Sequence, residues 1–389
     1  MCTLSENEVD SAFAAIGTRT ARSLADVDGE FPLWADPETG VWTTTPEGNW
    51  CAGHWIALLR LAAHHSEDEE TGDKLSVAAD EYESSLPAAK LRGSMFAGVA
   101  YHLAGFRSFD LTGDRRQFGL GLRGADEMLA LFDERARQVV VGDLATTGLK
   151  DRLNLEIEDG ARIAAVDALA TSVPVLWRAW EETRRPRFRD TALAHTDRHL
   201  DWFIDEEGRT CHKAAFDPES GGLVRRYNEL AASDETCWSR GQAWSIAGLA
   251  VAYARTRARR HLDSLDSVTT YYRRHTPGDG VPSWDFEAAD GTDEPRDSSA
   301  AAITADGLLA LPSDPEVPAA HRTAVSRLRE YGHELLASLV GSYLVTNESD
   351  PLYGGVRHGC YNKPSQYATD AELLWGDYYL THALHRIAS

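Results

Sequence analysis

An aspartate inside an apolar run, and tryptophans interleaved with arginine, glutamine and carboxylates, are the residues of this sequence whose types could do chemistry. Asp167 sits in Ile163-Ala164-Ala165-Val166-Asp167-Ala168-Leu169. Burying a carboxylate is costly without a partner, and low polarity raises its pKa. A raised pKa is what a general acid working near neutrality needs. A cap, or a pair with Arg162, is the structural alternative. Two further segments are Trp238-Ser239-Arg240-Gly241-Gln242-Ala243-Trp244 and Trp284-Asp285-Phe286-Glu287, the second followed by Arg296-Asp297-Ser298-Ser299-Ala300-Ala301. Such a mixture suits a sugar pocket: aromatic faces stack on the C–H faces of a pyranose, while fork-shaped donors and acceptors read its hydroxyls and carboxylate. Arg240 and Trp244, four residues apart, would share a helix face. A planar guanidinium beside an indole suits an anionic sugar, and it is also common packing. Asp285, Glu287, Arg296 and Asp297 read mainly as structural.

These residues must be positioned by helices. Phe118 to Phe132, Ile163 to Trp180, Ala192 to Phe203 and Ala324 to Val340 repeat apolar residues at three- and four-residue spacing. Strand-like runs are few and short, and glycine and proline cluster between the helical runs, as in Thr276-Pro277-Gly278-Asp279-Gly280. Leu122, Asp126, Leu129 and Phe132 recur as Leu193, Asp197, Leu200 and Phe203. Any two amphipathic helices could match in this way; a ring of stacked helical hairpins is the sharper reading. No linker divides the 389 residues, so we expect a single domain spanning 1–389.

Composition narrows the partners. The formal charge is −22, from 61 acidic and 39 basic residues, a surface that repels nucleic acid and anionic membranes. Lysine occurs only at 74, 90, 150, 213 and 363. The cysteines, Cys2, Cys51, Cys211, Cys237 and Cys360, are odd in number and form no CxxC pair, which argues against a disulfide framework or a zinc site. Met1 to Asp10 is polar and acidic, and no stretch approaches the roughly 20 apolar residues of a membrane span. A reduced, cytoplasmic protein is the expectation. No phosphate loop, nucleophile elbow or metal-ligand spacing is present.

The two tryptophan motifs resemble those of the unsaturated glucuronyl hydrolases, glycoside hydrolase family 88, with a weaker likeness to the unsaturated rhamnogalacturonyl hydrolases. The resemblance runs along most of the chain. Asn49-Trp50-Cys51-Ala52-Gly53-His54-Trp55 sits where the family has a Trp-x-x-Gly-aromatic-Trp segment, and Gly160 to Asp167 looks like its Gly-x-x-x-Ile-x-x-x-Asp helix. Thr210-Cys211-His212 with Phe216-Asp217, and Trp375-Gly376-Asp377-Tyr378-Tyr379-Leu380, fit its later segments. The resemblance implies an all-α (α/α)6 barrel with its site at one open end. It implies hydration of the double bond of a terminal 4,5-unsaturated uronic acid on an acidic oligosaccharide, with no metal or cofactor. An acid protonates C4, water adds at C5, and the hemiketal opens to release the aglycone.

Residue by residue, the resemblance makes Asp167 the general acid/base, Trp50 a stacking platform and His212 a pocket hydrogen-bonder. It places Arg240, Gln242 and Trp244 in the pocket, with Arg240 on the sugar carboxylate. Asn362 and Ser365, in Cys360 to Tyr367, fall in the loop that contacts the sugar beyond the cleaved bond. Two departures stand out. In Met95-Phe96-Ala97-Gly98-Val99, Phe96 stands where the family has a second aspartate, and Leu230 falls where it often has glutamine. His54, and less so His102, are candidates to supply the missing polar contact, and Phe96 would line a more apolar subsite. A subgroup with another sugar or step, or a non-catalytic sugar-binding protein, are the alternatives.

Overall fold

A computed structural model describes residues 4–86, 91–143, 160–288, 294–313 and 315–388. Cys2 lies outside them. Among the described residues the chain forms twelve long helical segments that alternate between an outer and an inner ring. The outer helices are α1 (Glu6–Asp26), α3 (Glu69–Ser85), α5 (Arg115–Ala130), α7 (Pro186–Phe203), α9 (Arg259–His275) and α11 (Arg322–Ser338). The inner ones are α2 (Ala52–His64), α4, α6 (Asp167–Thr183), α8 (Ser239–Thr256), α10 (Ser298–Leu309) and α12 (Leu374–Ala388). Segment α4 runs through Phe96–Tyr101, a π-helical His102–Arg107 and Ser108–Thr112. Each inner helix packs on the next, and α12 closes the ring against α2. This is the expected (α/α)6 barrel.

The sequence explains which ring each helix joins. Every residue of α10 is buried, and α2 is buried from Ala52 through Ala62, so these helices have no solvent face. The outer α5 and α9 bury one stripe and expose the rest. Starts are set by side-chain caps: Ser5 and Glu8 form a reciprocal capping box on α1, and Asp68, Asp114 and Asp297 cap α3, α5 and α10.

Short sheets decorate the ends: β2 (Trp42–Thr45), β1 (Phe31–Ala35) and β8 (Glu372–Leu373) in one, β3 (Phe132–Asp133) with β4 (Gln138–Val139), and β5 (Ile163–Ala165), β6 (Lys213–Phe216) and β7 (Leu223–Tyr227) in the third. The first sheet closes the chain's two ends together. Arg19 of α1 donates to Glu372 of β8 from Nε at 3.0 Å and Nη2 at 2.5 Å, with both side chains buried.

One expectation is corrected here. The helical periodicity from Ile163 places Asp167 inside a helix, but Ile163–Ala165 is a strand, paired Ile163↔Ala215, Ala164↔Ala214 and Ala165↔Lys213, and Asp167 is the first residue of α6. A three-residue apolar run satisfies either period, and the partner strand decides. No helix of the described residues is long and apolar enough to cross a membrane.

Inner helices approach closely where glycine removes a side chain. A Cβ on Gly98 of α4 would lie 2.3 Å from the Thr171 carbonyl oxygen of α6, and one on Gly53 of α2 would lie 2.4 Å from that of Ala100. Backbone cannot yield as a flexible side chain can. We therefore expect Gly98→Ala to destabilise by ~1–3 kcal/mol in urea unfolding. Gly119→Ala, on the exposed face of α5 with open space around it, should instead stabilise by ~0.5–1 kcal/mol.

Candidate active site

Six inner-helix N-termini meet at one end of the barrel, and side chains from them touch in sequence. The Phe96 ring, at the first residue of α4, lies 5.6 Å from that of Trp50, which precedes α2. Trp50 packs at 4.8 Å on Trp375 of α12 and donates from Nε1 to the Tyr361 hydroxyl at 3.1 Å. Tyr361 lies 4.9 Å from Trp375. The Arg240 guanidinium, on the first turn of α8, stands over Trp238 at 4.8 Å and Trp375 at 5.5 Å. Trp238 meets His212 edge-on at 5.1 Å, and His212 Nε2 lies 3.6 Å from Asp167 Oδ2. The result is an aromatic wall running from Phe96 to the catalytic candidate. Inner-helix N-termini carry partial positive charge, so this end favours an anionic ligand.

The short sheet aligns Asp167 with His212. Beyond the Ala165↔Lys213 pair, Val166 N–H donates to the His212 carbonyl at 2.8 Å, which sets the two side chains beside each other. Asn228 fixes His212 from behind: its Oδ1 accepts from His212 N–H at 2.5 Å, while its Nδ2 donates to the Asp234 and Thr236 carbonyls. Asp167 is 8% exposed, and its Oδ2 has no hydrogen-bond partner among the described residues. Burial pushes its pKa up to about 6, against the lowering pull of its own backbone N–H and of the Arg240 and Lys213 charges. Lys213 is held by Glu229 at 2.5 Å, which tempers that pull. Burial, then the Lys213 and Arg240 charges, keep His212 well below the usual imidazole range. A neutral imidazole thus faces a carboxyl group that can hold a proton near neutrality.

Other sequence-selected residues are placed differently. Arg240 was expected on a sugar carboxylate. Instead it is 2% exposed, ion-paired with buried Asp297, and donates to the carbonyls of Cys360 at 2.6 Å and Tyr361 at 2.5 Å. Its indole neighbours are Trp238 and Trp375; Trp244 packs on Tyr379 at 5.6 Å. Gln242 is fully buried, accepting from Thr210 N–H and donating to the carbonyls of Gly208 and Val268, so its amide is spent on the scaffold. His54 is fully buried among Trp50, Tyr378 and Tyr379, and burial lowers its pKa to about 3. It stays neutral at working pH and supplies no second titrating group. His102 is likewise held far below its usual range by burial. Asn362 accepts from Ser365 N–H at 2.9 Å and shapes the loop, leaving Ser365 at its exposed tip. Leu230 packs against the core, half-buried. Tyr361, Trp375 and Trp238 lie in segments the sequence points to, but their individual places beside Trp50, Arg240 and His212, and that of Asn228 behind His212, come only from their contacts.

No family model matches the chain. It is 28% identical over 377 residues to the unsaturated glucuronyl hydrolase of Bacillus sp. GL1, covering 95% of this chain and 93% of that protein. It is 26% identical over 388 residues to the unsaturated chondroitin disaccharide hydrolase of Streptococcus pneumoniae, covering 98% and 92%. The crystal structure of the Bacillus enzyme matches with a TM-score of 0.83 at 25% identity, covering 97% of this chain and 96% of that one.

The placement of Arg240 carries a test. Arg240→Ala leaves Asp297 buried without its cation and frees the carbonyls of residues 360 and 361. We expect a loss of ~3–5 kcal/mol in equilibrium unfolding, as for other broken buried pairs. A variant within about 1 kcal/mol of wild type, with only its substrate KM raised, would return Arg240 to direct ligand binding.

Proposed function

We propose that the chain is a member of the unsaturated glucuronyl hydrolase family and removes a terminal 4,5-unsaturated uronic acid from an acidic oligosaccharide, with Asp167 as general acid and then base. The observation that carries this reading is the buried Asp167 carboxyl, with a pKa raised to about 6, 3.6 Å from a neutral His212 at the end of an aromatic wall. Protonated Asp167 gives its proton to C4 of the enol ether; the carboxylate so formed takes a proton from the water that adds at C5. The hemiketal then opens and the aglycone leaves. One group returns to its starting state, so the step closes without a second carboxylate. The sugar carboxylate is met by the inner-helix N-termini rather than by a free guanidinium, since Arg240 is committed to Asp297. Unpaired, buried Cys51, Cys237 and Cys360 accord with action in the reducing cytoplasm.

Phe96 favours a narrower substrate reading. It holds on α4 the first-residue position that Asp167 holds on α6. A phenyl ring there neither accepts a hydroxyl hydrogen bond nor carries charge. We expect weak or no turnover of the common unsaturated chondroitin and hyaluronan disaccharides, and better turnover of another unsaturated uronide whose matching face is less hydroxylated. A panel followed by loss of double-bond ultraviolet absorbance checks this; full activity on the common disaccharides would remove Phe96 as a selector.

Asp167→Asn should cost on the order of 10²–10⁴ in kcat with binding nearly intact. Wild-type kcat/KM should fall as pH rises through about 6, since the acid must be protonated in the free enzyme. Stability gives a separate readout. A folded pKa above the unfolded value means that Asp167 favours folding least at high pH, the loss developing between about pH 4 and pH 6. Asp167→Asn should therefore be more stable than wild type at pH 8, by up to ~3 kcal/mol, and match it near pH 4. Retention of most of the wild-type kcat would take Asp167 out of the mechanism.

A further inference from the structure

The opposite end of the barrel collects imidazoles. His64 ends α2, His65 is the residue that caps it, and His385 lies in the last turn of α12. One ring nitrogen from each lies within 4.8 Å of the others, and His65 Nε2 is 2.9 Å from His385 Nδ1. His64 is exposed and the other two half-buried. The three come together only by folding, since His65 and His385 stand 320 residues apart and no spacing in the sequence announces them.

We propose that His64, His65 and His385 bind one divalent first-row metal ion, of which zinc is the representative probe, as a clip across the seam where α12 closes the ring on α2. Neutral imidazole is the commonest protein ligand for such ions. Zinc–nitrogen bonds of about 2.0–2.1 Å set tetrahedral ligand nitrogens roughly 3.4 Å apart. The His65–His385 pair opens by a few tenths of an ångström, and the exposed His64 swings in. The proton now shared between His65 and His385 leaves the facing nitrogens by a change of tautomer. Both helices present their C-terminal ends here, whose partial negative charge favours a cation. The nearby guanidinium groups oppose it weakly because they are paired: Arg386 Nε with Asp306 at 2.6 Å, and Arg107 with Asp110 at 3.7 Å. A cavity of about 380 Å³ beside His385, reaching Leu61, Arg107 and His382, leaves room for water in a fourth position.

The test uses the untagged, chelator-treated full chain titrated calorimetrically with zinc chloride. We expect one site per chain. His64→Ala and His385→Gln should each weaken it by more than the ~10–100-fold that loss of a mere supporting contact costs. Zinc at a hundredfold excess over Kd should raise the melting temperature by ~3 °C in wild type and in neither variant. Cobalt(II) should give the visible absorption band of a tetrahedral nitrogen site. Hydrolase activity is not the readout, so failure here leaves the proposed reaction untouched. Absence of stoichiometric binding, or binding indifferent to both substitutions, overturns the proposal and leaves a simple His65–His385 hydrogen bond. Because His64 is exposed, its variant folds even if the His385 one does not.

Discussion

The buried guanidinium of Arg240 is the constraint on which the site end of the barrel depends. It joins three separate pieces of chain: the start of α8, the Asp297 cap of α10, and the backbone at Cys360 and Tyr361. Asp297 is itself divided between that pair and Ser299, whose hydroxyl donates to it at 2.6 Å and accepts from Trp375 Nε1 at 3.0 Å. One charge pair therefore fixes the indole and phenol that form the wall. A buried pair is a poor source of net stability. Its value here is geometric, because a planar fork with fixed donor directions defines the approach of three elements in a way no apolar contact could.

Polarity along the barrel axis follows from the alternation of helices. With every inner helix running the same way, one mouth gathers N-termini and the other C-termini. Asp167 sits at the positive mouth, where the dipole alone would lower its pKa, and burial wins by enough to hold it near 6. That balance costs about 3 kcal/mol of folding stability near neutrality. The sheet built from β5 and β6 holds the backbone just ahead of the carboxylate, through Ala165↔Lys213 and the Val166 N–H to the His212 carbonyl.

Much of this was legible in the sequence and some was not, for definite reasons. Helical periodicity located α5 and α11 to within a few residues, and the second two thirds of α7, because an amphipathic stripe is a local property. The Ile163 run misled because three apolar residues fit strand and helix alike, and Ala164↔Ala214 pairing lies 50 positions away in sequence. Arg240 stands out in the sequence, but its partners do not. Spacing can say that Arg240 and Trp244 share a face, but not that Asp297 already occupies the guanidinium. The same holds for Gln242 and His54: a motif can mark polar residues as candidates for ligand contact, but not that Gln242 is bonded to the scaffold and His54 fully buried. Asp167 stands out in the sequence because a carboxylate in an apolar run is costly wherever it falls, whereas His212 is visible only through the resemblance, and the structure sets the two side by side.

Phe96, at the position where the resemblance implies a second carboxylate, bears on how little the proposed chemistry requires. In a hydrolase that displaces a leaving group directly, acid and nucleophile or base are different groups on opposite faces, and losing one ends turnover. Addition of water to an enol ether separates the two proton transfers in time, so one carboxyl group can perform both. The second position is then free to serve recognition. With Phe96 there, the Trp50 indole has an apolar neighbour at 5.6 Å. The local dielectric falls, and any electrostatic repulsion that a second carboxylate would exert on Asp167 is gone. Such repulsion would have raised the acid's pKa; in its absence desolvation must do that alone, and the buried, hydrogen-bond-poor setting of Asp167 supplies it.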